Sequence, residues 1–247
     1  MPSSTPIISS QDALAEVADR LRSVAAIGLD TEFMRERTYR AELCLLQLTT
    51  PAGPVCVDPL ALPGLSPLAA MLGAGATPAV AADAGPDVSA AAPSPRAAPA
   101  LPLKVLHAAR QDLEVLFPVV GLVWPVFDTQ VAAALAGHPA QVGYAELVRR
   151  LLGQELPKAH TRTDWARRPL SPEQIEYALD DVRFLLPLRD VLLESLARLG
   201  RSAWLEEELR ALADLAGVQP DPARAWLRLK GLQGLDAGRT ALAQSLA

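Results

Sequence analysis

Residues 25–33, AAIGLDTEF, constrain this chain more than any other stretch. An apolar run leads up to Gly28 and Leu29 in the manner of a short buried strand, and two carboxylates, Asp30 and Glu32, follow one residue apart. In a strand that spacing sets both side chains on one face. Two acids side by side at the end of a buried strand repel each other. A fold that keeps them there must supply a cation, a proton or open water. Water at an exposed strand end is the simplest of the three, and the rest of the chain has to decide among them.

With 247 residues, half of them hydrophobic, the chain can bury a sizeable core as one large domain or as a domain with an appendage. It contains no run of ~18 apolar residues and no basic-then-apolar N-terminus, so neither a membrane span nor a secretion signal is expected, and the cytoplasm is the expected location. Cys44 and Cys56 fall in apolar strand-like segments, where reduced buried thiols are expected. A net charge of -5 argues against a protein that coats nucleic acid non-specifically, because neutralising phosphates takes an excess of Lys and Arg. It leaves room for an enzyme that holds acids in a metal site and keeps its bases local. Arginines do cluster, at Arg35, Arg37 and Arg40 and again at Arg162, Arg167 and Arg168, although solvated rims would look the same.

Along the chain, Ser10 is placed to cap a helix reaching about Arg22, with Leu14, Val17 and Leu21 at helical spacing. Strands over 25–33, 43–49 and 55–58 with short links read as an antiparallel meander. A short helix is predicted over 65–72. Residues 73–102 are then Ala, Pro and Gly with few large apolar groups, which predicts a disordered insertion, with a domain boundary as the alternative. After it come a strand over 103–106 ending at His107, a helix carrying Asp112, a short strand at Val126 and Phe127, and an Ala-rich helix capped by Asp128. An amphipathic helix follows over 144–152, and then a basic loop over 158–168. The pattern predicts an α/β domain with a mixed sheet, followed by helices.

The next helix is well announced. Ser171 can cap it, Pro172 suits its first turn, and Gln174 completes a capping box. Pro187 predicts a kink near Leu186. Ile175, Ala178, Leu179, Val182 and Leu186 form its core stripe, with Asp181 at the edge and Tyr177 one turn earlier on the same side. Periodicity therefore selects Asp181 as the half-buried carboxylate and sends Asp180 to the polar face with Glu173 and Glu176. Singly, Asp112 reads equally well as a solvated helix residue, and Tyr177 as a core aromatic.

Together, Asp30-Thr31-Glu32, Asp112 within LHAARQDLEVL, and Tyr177 with Asp181 in Tyr-x-x-x-Asp resemble the three exonuclease motifs of the DEDD superfamily, tyrosine subclass. The words GLDTEFMRERTY, FDTQVAA and RTDWARRPLSPEQIEYALDDVRFLLPL are similar to the ribonuclease D family. The resemblance runs from about Ala25 to Leu199 and is interrupted by the Ala/Pro segment. It implies a ribonuclease-H-like fold, with an exonuclease domain over 1–215. It also implies 3′-to-5′ hydrolysis of RNA to nucleoside 5′-monophosphates, notably in maturing tRNA 3′ ends, by a monomer with no membrane partner.

The same resemblance implies two divalent ions, Mg²⁺ or Mn²⁺, about 3.5–4 Å apart. Asp30 would bridge both, Glu32 and Asp181 would complete the first, Asp112 would hold the second mainly through water, and Tyr177 would orient the attacking water. Lys158, Arg162 and Trp165 are candidates for gripping phosphates or stacking on a base, as are Arg35 and Arg40 for phosphates. His107 and Asp128 are expected to support the site as a satisfied histidine and a helix cap. Residues 220–229, PDPARAWLRL, resemble the opening of the helicase-and-RNase-D C-terminal (HRDC) domain, so 219–247 is expected to be a partial helical module. The acids alone do not distinguish sugars. A DNA-trimming exonuclease and a non-catalytic RNA-binding scaffold therefore stand as the other readings.

Overall fold

The computed structural model describes residues 7–35, 41–73, 101–157 and 163–217, together with 236, 238, 239 and 241. The Ala/Pro segment, apart from its ends, and nearly all of the expected HRDC-like tail lie outside the described residues.

A six-stranded mixed sheet carries the fold. Its strands are β1 (Ile7–Ile8), β2 (Ala26–Met34), β3 (Glu42–Thr50), β4 (Gly53–Val57), β5 (Leu103–Leu106) and β6 (Val126–Asp128), in the lateral order β1-β4-β3-β2-β5-β6. The expected meander is present: β2 pairs antiparallel with β3, and β3 with β4. β5 and β6 extend it in parallel on one side, and β1 pairs in parallel with β4 on the other. At two residues, β1 is too short to carry a readable alternation.

The helices are α1 (Gln11–Leu21), α2 (Ser66–Leu72), α3 (Arg110–Val120), α4 (Thr129–Leu135), α5 (Tyr144–Leu152), α6 (Pro172–Arg183), α7 (Leu185–Arg198) and α8 (Ser202–Gly217). Ser10 caps α1 and the Ser171–Gln174 capping box opens α6, as the residue types dictate. No helix among the described residues is long and apolar enough to cross a membrane. α1, α2 and α3 pack against one face of the sheet, where Leu14, Leu68 and Leu113 meet Ile27, Leu29, Leu46 and Leu48. Ile175, Ala178 and Leu179 of α6 cover Leu45 and Cys56 on the other. The alternation of β2 thus sends Ile27 and Leu29 to the first face and Gly28, Asp30 and Glu32 to the second. Cys44 and Cys56 are buried free thiols, and burial pushes them up to about 11 and about 12, which keeps them protonated.

Gly28 lets α6 and α7 close on β2. A Cβ there would stand 2.8 Å from Thr49 Cγ2, 3.1 Å from the Val182 carbonyl oxygen and 3.3 Å from Leu185 Cβ. Gly28→Ala is therefore expected to push the α6–α7 junction away from the strand and to destabilise the fold by about 1–3 kcal/mol. Thermal unfolding checks this, and an unchanged midpoint would refute the close approach.

The break between α6 and α7 falls at Phe184, not beside Pro187. Pro187 sits in the first turn of α7, where a missing N–H leaves no helical bond unmade. What opens the helix is Tyr144 of α5. Its hydroxyl donates to the Asp180 carbonyl at 3.0 Å and accepts from the Phe184 N–H at 3.1 Å. It thus stands between the two groups that a continuous helix would join.

Candidate active site

The ladder between β2 and β5 ends with Gly28 opposite Val105, while β2 runs on to Met34 paired only with β3. The first turn of α3 approaches this gap and brings Asp112. On the other face, Asp30 and Glu32 meet Asp181 from the last turn of α6. Carboxylate oxygens of these three residues all lie within 4.8 Å of one another. Asp112 stands outside that trio. It is buried, and its Oδ1 accepts from the Thr31 hydroxyl at 2.5 Å. Thr31 is the residue between the two strand acids, so the pleat turns it towards α3 as it turns Asp30 towards α6. Its charge-neutral donor holds the fourth acid beside the other three.

Electrostatics make the crowding explicit. Burial, and then repulsion from Asp112, Asp181 and Glu32, raise Asp30 well above the usual carboxylate range. Burial followed by repulsion from Asp181 and Asp112 pushes Glu32 up to about 8. Asp112 and Asp181 are each pushed up to about 7, chiefly by burial, against the opposing hydrogen bonds from Thr31 and Tyr177. Tyr177 is half-buried, one helical turn before Asp181 on α6. Burial and then the neighbouring acids raise its pKa, so it stays a neutral phenol that donates. Four acids and no cation among these influences make an all-oxygen donor set that suits a hard divalent ion.

The segment before α6 is pinned by Arg168. Its Nε and Nη2 clasp the Asp58 carboxylate at 2.7 and 2.8 Å, while Nη1 and Nη2 also donate to the carbonyls of Trp165 and Cys44, both at 2.7 Å. Burial would raise Asp58, but the Arg168 hydrogen bonds and charge outweigh it and hold the carboxylate below its ordinary value. The clamp sets Trp165 behind Tyr177, with ring centroids 6.1 Å apart. Trp165 is only 6 % exposed, which corrects the expectation of a loop tryptophan free to stack on a base. Its ring is occupied as the wall against which Tyr177 rests.

Tyr177→Phe removes one hydroxyl and leaves that wall in place. Turnover is expected to fall roughly 10²-fold, with little change in the thermal midpoint. Steady-state rates on a labelled RNA check this, and unchanged turnover would remove Tyr177 from the chemistry.

His107 is held at both ring nitrogens, Nδ1 on the Thr129 hydroxyl at 2.9 Å and Nε2 on the Val142 carbonyl at 3.0 Å, with its ring edge-on to Tyr144. Asp128 caps α4 through the N–H groups of Gln130 and Val131. The same carboxylate also accepts from the N–H groups of Ala108 and Ala109 at 3.0 and 2.8 Å. It thereby secures the left-handed Ala108 (φ 56°) from which α3 and Asp112 depart. Arg35 bonds Glu114 at 3.2 Å on the surface and lies over the Phe33 ring. Lys158, Arg162 and Arg40 lie outside the described residues.

Asp180 is not the solvated neighbour that helical periodicity predicts. It is 6 % exposed and paired with Arg183, whose other nitrogen reaches Glu176 at 2.8 Å. Sequence reasoning passed over Thr31, Tyr144 and the Asp58–Arg168 pair. Of these only Thr31 had a local signal, its position between two acids on the opposite strand face.

A model of the 3′-5′ exonuclease family matches residues 5–92 and 100–197, and the chain belongs to that family. Within it the likeness is to ribonuclease D. The chain is 42% identical to ribonuclease D of Gluconacetobacter diazotrophicus over 91% of its own length and 51% of the relative's. It is also 42% identical to that of Jannaschia sp. over 97% and 57%. The structure of Escherichia coli RNase D, described as an exoribonuclease involved in structured RNA processing, superposes with a TM-score of 0.76 at 34% identity, covering 91% of this chain and 54% of that one. The fold is accordingly the ribonuclease-H-like exonuclease fold, with helices at its C-terminal end. The chain spans about half the length of the curated relatives it matches.

Proposed function

We propose that this chain is the catalytic part of a metal-dependent 3′-5′ exoribonuclease of the ribonuclease D type, acting hydrolytically and releasing nucleoside 5′-monophosphates. The observation that carries the reading is the carboxylate trio of Asp30, Glu32 and Asp181, with oxygens within 4.8 Å of one another and Asp112 beside them. A scaffold that only binds RNA has no use for four crowded acids, which repel phosphate. Asp30, Glu32, Asp181 and Asp112 would hold two divalent ions, Mg²⁺ or Mn²⁺. When bound there, such ions supply an activated water and stabilise the departing 3′ oxygen.

The chain's own groups do the rest. Tyr177, kept neutral, presents a hydroxyl donor at the edge of the acids and orients the attacking water. Trp165 keeps that ring in place. Thr31 and Asp128 set the position of Asp112, one through its carboxylate and the other through the turn before α3. Arg35, Arg40, Lys158 and Arg162 contact the phosphates of the RNA. Residues 1–215 form the exonuclease domain and 219–247 a partial HRDC-like segment. The protein works as a monomer in the cytoplasm, on RNA 3′ ends such as those of tRNA precursors.

Matched RNA and DNA oligonucleotides labelled at the 3′ end, incubated with Mg²⁺, Mn²⁺ or chelator, test this reading. Metal-dependent loss of label from RNA alone is the expected result. Preference for DNA would favour a DNA-trimming exonuclease, and no metal-dependent loss from either would leave a binding scaffold.

A further inference from the structure

Gln47 occupies the middle of β3, directly opposite Asp30 in one ladder and Cys56 in the other. Paired residues in antiparallel strands project from the same face. The amide of Gln47 and the carboxylate of Asp30 therefore rise together on the side of the sheet that α6 covers. Leu45, two residues away, packs there with Ala178 and Leu179, and Thr49, two residues the other way, reaches Gly28. Gln47 is fully buried, and neither its Oε1 nor its Nε2 has a hydrogen-bond partner among the described residues. A buried amide without a protein partner is an expensive occupant for a sheet centre, where leucine or methionine would fill the same space without penalty. Beside it stands an acid crowded by three others, whose ionised form needs donors that the acids cannot provide.

We propose that Gln47 is a positioning residue for Asp30: its amide donates to the Asp30 carboxylate through one buried water and fixes that carboxylate's rotation for cation binding. The proposal rests on the metal-binding reading above. It assigns to Gln47 the role that outer partners of metal-binding carboxylates play elsewhere, orienting the ligand without touching the ion. It also accounts for a polar residue surviving between Leu46 and Leu48, in a strand whose other central residues are all apolar.

Gln47→Leu and Gln47→Met, each close to glutamine in volume, test it on the full chain without substrate. Calorimetric titration with Mn²⁺ is compared among the two variants, wild type and Asp30→Asn, and thermal unfolding is recorded in chelator. Both variants are expected to bind Mn²⁺ roughly 10- to 100-fold more weakly than wild type, while their metal-free midpoints equal or exceed it. Affinity within about threefold of wild type in either folded variant would overturn the proposal. So would failure of both variants to fold, which would assign the amide to stability. Wild type that takes up no Mn²⁺ would sink the metal reading itself. Wild-type uptake lost in Asp30→Asn but unchanged in the Gln47 variants would sink this inference alone.

Discussion

Asp30→Asn is expected to lower kcat/KM on RNA by at least about 10³-fold, equivalent to some 4 kcal/mol of transition-state stabilisation, and to leave the protein folded. The size follows from the position of Asp30, against which Glu32, Asp181 and Asp112 all exert their repulsion. An amide in its place removes one charge from the oxygen donor set and offers an N–H₂ where a cation must sit. The stability effect has the opposite sign. Asparagine relieves the repulsion, so the chelated variant should melt at or above the temperature of the chelated wild type. Initial rates on 3′-labelled RNA in Mg²⁺, paired with unfolding curves in chelator, separate lost chemistry from lost structure. A variant retaining a tenth of wild-type activity would take Asp30 out of the metal site.

In chelator, the wild type is expected to lose stability relative to Glu32→Gln as the pH rises from about 4.5 to about 8. Glu32 binds its proton up to about 8 in the folded protein and only to about 4.5 when unfolded, so between those values the folded state holds the extra proton. The Glu32 contribution to stability therefore falls with rising pH across that window and is gone above it. Asp112 and Asp181 act in the same direction up to about 7. Two other buried groups oppose them. Burial lowers His107, which adds stability as the pH climbs towards 6.5, and it pulls Lys104 down to about 7, which adds stability from there towards 10.5. Taking the difference between wild type and the Gln variant cancels both. The gap in thermal midpoint is expected to widen by several degrees, reflecting a few kcal/mol, and millimolar Mg²⁺ should close it. A gap independent of pH would show that Glu32 is not held in a crowded acidic pocket.

Several features could be read locally because their cause is local. The alternation of β2 places Asp30 and Glu32 on one face whatever packs there, and the Ser171–Gln174 box starts α6 without help from elsewhere. The stripe of Ile175, Ala178, Leu179 and Val182 likewise sets Asp181 at the edge of the buried face of α6. Asp180 escaped the same logic because Arg183 folds over it and Tyr144, from another helix, bonds its carbonyl. Trp165 was misjudged because the guanidinium that draws its segment onto β3 and β4 answers to Asp58, more than a hundred residues earlier.

By itself, then, the sequence determined the elements, their amphipathic faces and which acids stand on them, since propensity, capping and periodicity act within a few residues. Tertiary structure alone decided what each polar group meets: Thr31 on Asp112, Tyr144 in the break before α7, Gln47 buried opposite Asp30. Burial and hydrogen-bond partnership depend on segments brought together from distant parts of the chain, and no local pattern encodes them.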